Sequence, residues 1–179
     1  MGPALNAEAF SSIRRRMMLD HFKWDPQIGD ESVLLEQPLL LSSQAWVELA
    51  TAAEQMAAEI ARVYRALPES ERAGAVFFGP NYGEAAAIDI YGPEFGAPPA
   101  ISAHNNYFLW SPRGYSGSVV ITLGGGPSRK LAANFAAVET AGHIASPYAM
   151  GYENDRTVYV LRRPLKPLDE VWPKLKVYD

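Results

Sequence analysis

Apolar residues recur at intervals of three and four along residues 44–67, and this spacing predicts one long amphipathic helix. Ser43 stands directly before the stretch, in the position of an N-cap, and Pro68 ends it. The stripe runs down one side of the helix without interruption. We therefore expect it to pack into a protein core rather than to face a ligand.

The residues before this helix show weaker patterns. A shorter helix is predicted at 7–19, and a loop with Pro and Gly follows it at 23–30. Residues 1–72 are thus predicted to form a helical N-terminal segment. Three acidic or imidazole side chains near the loop have no spacing typical of a metal site, so we expect no metal there. They are Asp20, His21 and Asp25.

After residue 73 the pattern changes to short apolar runs separated by turns rich in Gly, Pro and Asn, which predicts strands alternating with helices. The alternation favours a mostly parallel sheet with flanking helices, a Rossmann-like three-layer α/β fold over residues 73–179. The last two strands have no helix between them, so an antiparallel pairing stays open for that pair. Strands are predicted at 74–78, 99–103, 118–123, 142–146 and 157–162, and helices at 83–91 and 128–139. Residues 168–177 are predicted to form a short helix or a turn.

Composition narrows the classes of function. With 48% hydrophobic residues, the 179-residue chain has enough apolar material for a real core, and its net charge of −4 gives no footprint for nucleic acid. The absence of cysteine excludes disulfides and thiolate chemistry. Residues 1–10 lack the basic and apolar pattern of a signal peptide, so we expect none, and no run reaches about 18 uncharged apolar residues. We therefore expect a soluble protein, cytoplasmic as written, with no cofactor.

Polar and aromatic residues gather where the predicted strands end. Ligands of open α/β sheets bind beyond the carboxyl ends of the strands. Amide and carboxylate groups hydrogen-bond to sugar hydroxyls, and aromatic rings cover the C–H face of a sugar, so the pattern indicates a carbohydrate-type site. The alternative is that these residues only shape turns. The candidate ligand-binding residues are Asn81, Tyr82, Glu84, His104, Asn105, Asn106, Tyr107, Trp110, Tyr152, Glu153 and Asn154.

Two further kinds of chemistry are weighed at the same edge. Glu84 and His104 are candidate catalytic residues for proton transfer, although a Glu in a first helical turn also simply complements the helix dipole. The turn after the third strand is a candidate anion site, with a tight strand-to-helix connection as the alternative. Its residues are Gly124, Gly125, Gly126, Ser128 and Arg129.

A series of ordered motifs resembles the C-terminal soluble domain of family 39-type bacterial membrane glycosyltransferases, relatives of the protein O-mannosyltransferases. The similarity covers about residues 61–179. The motifs are NYGEAAAID at 81–89, YGP at 91–93, PPAISAHNNY at 98–107, WSPRGY at 110–115, PY at 147–148, YEN at 152–154 and WPKLK at 172–176.

This resemblance implies a soluble C-terminal domain without the catalytic part of the enzyme. Such enzymes move a sugar from a polyprenyl-phosphate carrier with acidic residues of an early extracytoplasmic loop, and that part has no counterpart here. The resemblance implies a non-catalytic domain that recognises a glycan or a lipid-linked sugar, beside a membrane-embedded enzyme part and outside the cytoplasm. Residues 19–49 resemble instead the opening of bacterial permuted ATP-grasp proteins, although none of that fold's nucleotide or magnesium sites is visible.

Two other functions stay open at this stage. One is a small transferase or hydrolase that uses Glu84 and His104. The other is a structural module in which the helix at 44–67 docks a partner or a second copy of the chain. The sequence does not fix the oligomeric state.

Overall fold

The computed structural model describes residues 43–110, 112–125, 129–149, 151 and 153–178, and for residues 43–46 and 129–130 it describes the backbone alone. The helix predicted at 7–19, the loop at 23–30 and the acidic and imidazole residues beside it lie outside the described residues. The described chain from Leu49 onwards belongs to one compact unit, Leu49–Asp179.

A five-stranded mixed sheet forms the centre of this unit, in the order β2-β1-β3-β5-β4. The central strands β1 and β3 are parallel to each other, and β2 is parallel to β1. Strand β5 runs antiparallel to both of its neighbours, β3 and β4. The strands are β1 (Ala75–Phe78), β2 (Ala100–Ile101), β3 (Val119–Gly124), β4 (Phe135–Ile144) and β5 (Arg156–Pro164).

The predicted α/β class is confirmed, but the expectation of a mostly parallel, Rossmann-like sheet is wrong. A parallel neighbour needs a crossover, usually a helix, whereas the described residues between β4 and β5 contain no helix. The chain therefore turns back on itself, and the antiparallel pairing left open for the last two strands is the one found.

Helices flank the sheet. The helices predicted at 44–67 and 83–91 are present. The one predicted at 128–139 is wrong, because among the described residues of that stretch four are helical and β4 begins at Phe135. No helix among the described residues is long and apolar enough to cross a bilayer. The helices are α1 (Ser43–Ala66), α2 (Glu69–Arg72), α3 (Tyr82–Phe95), a 3₁₀ helix (Asn105–Trp110), α4 (Arg129–Ala132) and α5 (Leu168–Leu175).

Alternation along the strands sends side chains into two separate cores. On one face, Phe77 and Ile121 pack with Ile60 of α1 and Ile88 of α3. On the other face, apolar strand residues pack with Trp172 of α5. The part of α1 from Leu49 onwards shares this core with the sheet and lies in the same compact unit. Fully burying each such aliphatic or aromatic side chain contributes about 1.5–3 kcal/mol.

Candidate functional site

Five strands bring their loops to one edge of the sheet. Strands β1, β2 and β3 are parallel, so their carboxyl ends lie together. Antiparallel β5 begins at the same edge, where Thr157 pairs with Gly124. Strand β4 ends there too, with Ile144 opposite Arg156. The loops after β1, β2 and β3 and the whole β4–β5 connection therefore leave the sheet on one side.

Asn81 is the residue that joins these loops. Its Oδ1 accepts a hydrogen bond from the Glu84 backbone N at 2.8 Å, and Glu84 Oε2 accepts one from the Asn81 backbone N at 3.3 Å. This reciprocal pair is a capping box at the start of α3. At the same time Asn81 Nδ2 donates to Glu153 Oε1 at 3.0 Å. One amide thus caps a helix and ties the turn after β1 to the β4–β5 loop.

The turn before Asn81 is unusually close to α3. A Cβ added at Gly79 would lie 2.8 Å from both the backbone N and the Cβ of Ala85. Any other residue would push the turn away from the helix. The absence of a side chain at Gly79 therefore sets where Asn81 and the first turn of α3 stand relative to the strand.

Glu84 is the one buried carboxylate of this edge, with only 4% of its surface exposed. Burial raises its pKa to about 7, and the charge of Glu153 adds to the rise. The positive charge of Arg156 and the hydrogen bond from the Asn81 backbone oppose it. Near neutral pH the carboxyl group therefore exchanges a proton.

Arg156, the first residue of β5, was missed by sequence reasoning. A Cβ at Gly125 would lie 3.0 Å from Arg156 Nη1, and one at Gly124 would lie 2.8 Å from the ring of Tyr159. The described part of the glycine turn thus has a packing reason for lacking side chains. Of the other anion-site candidates, Gly126, Ser128 and the Arg129 side chain lie outside what the structure describes. The antiparallel pairing that was left open for the last two strands is the signal that could have pointed to Arg156.

His104 and Tyr82 form a second contact at the same edge. The Tyr82 backbone N donates to His104 Nδ1 at 3.3 Å, and the two ring centres are 5.3 Å apart. The Tyr82 side chain is 52% exposed, so its ring is open to solvent beside the imidazole. His104 and Glu84 are both bound to the 81–84 turn, but through different atoms of it.

Several other candidates stabilise loops in the structure. Asn105 has a left-handed φ of 49° and its N donates to the Val177 carbonyl at 2.8 Å. Asn154 Oδ1 accepts from the backbone N of Ser146 at 2.9 Å and of Asp155 at 2.8 Å, which shapes the β4–β5 loop. Asn106 is exposed. The Tyr152 candidate lies outside the described residues.

The candidates Tyr107 and Trp110 belong to a neighbouring cluster around Asp89 of α3. The Tyr107 hydroxyl donates to Asp89 Oδ2 at 3.4 Å, and Arg113 pairs with the same oxygen at 3.0 Å. The Trp110 ring lies 4.6 Å from the Tyr107 ring and 5.3 Å from the Arg113 guanidinium carbon. Burial raises the pKa of the Tyr107 hydroxyl. This cluster fixes the 3₁₀ helix against α3.

Six side chains thus lie at the strand-end edge and are linked by hydrogen bonds, a ring contact and charge interactions. We call them the edge cluster. Among the described residues no group of three or more His, Asp or Glu side chains is placed to hold a metal ion. The edge cluster offers hydrogen-bond acceptors, one guanidinium and one exposed ring. It consists of Asn81, Tyr82, Glu84, His104, Glu153 and Arg156.

Comparison with known proteins gives no relative: no family model, no curated protein and no solved structure matches the chain significantly. The resemblance to the glycosyltransferase tail stays a prediction. Function is therefore inferred from the residues at the edge themselves.

Proposed function

We propose that the edge cluster binds a glycan and that the domain is a non-catalytic recognition module, derived from the soluble tail of a membrane glycosyltransferase that uses polyprenyl-phosphate sugars. The ligand is a glycan, free or lipid-linked. The observation that carries the proposal is the pair of contacts made by the Asn81 side chain, which caps α3 and donates to Glu153. We call this pair the Asn81 clasp. It holds the Glu153 carboxylate beside the turn that presents the Tyr82 ring, and those are the groups that bind sugar hydroxyls and cover a sugar face.

The structural role of Glu84 favours ligand recognition over catalysis. Its backbone N and its carboxylate are both engaged in the capping box, and its side chain is buried. A general acid or base must reach the reacting atom within about 3 Å. Glu84 is therefore assigned to holding the turn in place, while the exposed Tyr82 ring and the half-buried polar groups around it meet the ligand.

One observation favours a second candidate function, a small transferase or hydrolase. The pKa of Glu84 is about 7, in the range that suits proton transfer, and His104 is bound to the same turn. In that case the ligand would be turned over rather than only bound.

The interaction-module alternative concerns helix α1. Its stripe residues Ala57, Ile60 and Val63 are buried in the sheet's own core, and Met56 packs partly against it. At the start of the described stripe, Leu49 stays open, with 37% of its surface exposed. The apolar face of α1 is thus used within the unit.

The proposal is tested by NMR titration of the full chain with neutral, N-acetylated and acidic oligosaccharides. We expect shifts at the amides of residues 81–84 and 153–156. Tyr82→Ala should weaken binding about fivefold, the equivalent of about 1 kcal/mol of ring contact.

Asn81→Asp is the sharper variant, because Asp still caps α3 but has no donor for Glu153. It should lose binding while α3 stays folded. Glu153→Gln removes the carboxylate assigned to the sugar hydroxyls and should weaken binding. Its control is Glu170→Gln, a change at an exposed carboxylate of α5, which should bind normally. No shifts at the edge with any oligosaccharide would refute the proposal. New sugar signals appearing with time would favour the enzymatic candidate instead.

A further inference from the structure

A second surface of the molecule is apolar and basic. The chain as a whole carries a net charge of −4, yet residues 103–113 and 171–178 together hold three Lys or Arg and no Asp or Glu. Because Arg113 pairs with Asp89 of α3, Lys174 and Lys176 supply the basic character. Several of the large apolar side chains that the described structure leaves exposed lie on these two segments. We call this the aromatic–basic surface, and its residues are Leu109, Trp110, Arg113, Lys176, Val177 and Tyr178.

The two segments form one continuous surface because the C-terminal segment is bonded alongside the start of the 3₁₀ helix. The Val177 N donates to the Ala103 carbonyl at 3.1 Å, and the Asn105 N donates to the Val177 carbonyl at 2.8 Å. Lys176 Nζ lies 5.4 Å from the Phe108 ring centre and 4.6 Å from that of Tyr178. The Lys176 ammonium therefore lies between aromatic rings of the two segments at the junction.

The base of this surface is rigid. Phe108 stacks on Trp172 of α5 with parallel rings 5.7 Å apart, and Trp172 Nε1 donates to the Phe108 carbonyl at 3.3 Å. Trp172 itself is buried in the second core. Leu109, which is 65% exposed, therefore lies on a segment that is held in place by its packed neighbour Phe108.

We propose that the aromatic–basic surface docks onto an anionic lipid bilayer. Trp and Tyr rings prefer the membrane–water interface, and aliphatic side chains insert below it. Lysine keeps its stem on apolar groups while its ammonium pairs with anionic headgroups. Charge complementarity selects lipid because the basic segments interrupt an otherwise acidic chain, and a neutral protein partner would not need them. This docking goes beyond glycan binding and uses none of the edge-cluster side chains.

The test is co-sedimentation of the full chain with vesicles of phosphatidylcholine, with and without phosphatidylglycerol. Binding is expected only with the anionic lipid. Lys176→Glu should lower the partition coefficient roughly fivefold or more, because each cation near such a surface contributes on that order. Leu109→Ser should lower it by roughly tenfold, through the loss of a buried aliphatic group.

Matched controls come from the other end of α5. Leu165 is 62% exposed and its N bonds to the Asn134 carbonyl near the start of β4, so Leu165→Ser removes an equally open leucine elsewhere. Lys166→Glu is the charge control, since that side chain is also 62% exposed. Both controls should bind like the wild type, and thermal melts should show all variants folded.

Three outcomes would overturn the proposal: no vesicle binding, equal binding to both kinds of vesicle, or equal losses in the test and control variants. Light scattering measures whether the chain self-associates, and so distinguishes a protein–protein contact from lipid binding. Self-association that Leu109→Ser abolishes, without vesicle binding, would assign the surface to a second copy of the chain. Loss of vesicle binding would leave glycan binding at the edge cluster unaffected, so the two proposals fail separately.

Discussion

At the scale of single residues, Glu84 shows how burial converts an ordinary carboxylate into a group that titrates near neutrality. Its pKa is raised from 4.5 to about 7 mainly by burial. A group whose pKa is higher in the folded state binds more protons when folded. Its contribution to stability is therefore complete below pH 4.5 and is lost as the pH rises to about 7.

The predicted size of this effect is about 3 kcal/mol of unfolding free energy between those two pH values. Glu84→Gln should remove that slope, because the amide resembles the protonated acid at every pH. Urea unfolding of wild type and variant at a series of pH values measures the difference, with the exposed-site variant Glu170→Gln as control. Parallel pH profiles for wild type and Glu84→Gln would contradict the raised pKa.

Candidate site residues were predictable only where the fold rule for strand ends applies. Asn81, Tyr82, Glu84 and His104 follow β1 and β2, and the structure brings them to one edge. The turn-shaping alternative describes Asn105, which has a left-handed φ, and Asn154, whose Oδ1 accepts from two backbone N atoms. Side-chain type alone did not reveal which candidates would take that role. Arg156 was missed because it opens a strand whose antiparallel direction was undecided.

At the scale of elements, local pattern sufficed where it was strong. The β-branched run of β3 and the three–four periodicity of α1 both appear where predicted. The Ala-rich stretch that became β4 has helix-forming residues but no clear period. Its strand state depends on pairing with β5, a partner about twenty residues away in sequence, which local propensity does not contain. The direction of β5 has the same nonlocal origin.

The β1–α3 turn yields a prediction about backbone approach. Gly79→Ala would place a methyl group 2.8 Å from the backbone N of Ala85, so strand and helix must separate. We expect a loss of stability of about 1–3 kcal/mol and disturbed amide signals at 81–84. Gly151→Ala is the matched control, because its added Cβ meets nothing within 4 Å, and it should change stability by about 0.5 kcal/mol or less. Equal effects of the two changes would show that the close approach is unimportant.

At the scale of the whole molecule, the main question is whether α1 and the sheet fold as one unit. Ile60 is fully buried in the core that also holds Phe77 and Ile121. If that core is shared, damage to α1 must destabilise the sheet as well. An independent helical segment would instead lose its own structure and leave the strands unaffected.

Ile60→Ala decides between these alternatives. We expect it to cost about 2–5 kcal/mol, through lost burial and the cavity left behind. The free energy of unfolding should fall by the same amount whether it is measured by far-ultraviolet circular dichroism or by hydrogen exchange of the β3 amides, because one cooperative transition governs both. Leu49→Ala, at the exposed start of the same apolar stripe, removes a leucine that is 37% exposed and should cost far less. A variant in which helix signal is lost while β3 protection stays at the wild-type level would separate α1 from the α/β unit. The glycan-binding edge would then depend on the sheet and α3 alone, since the Asn81 clasp involves neither α1 nor its core residues.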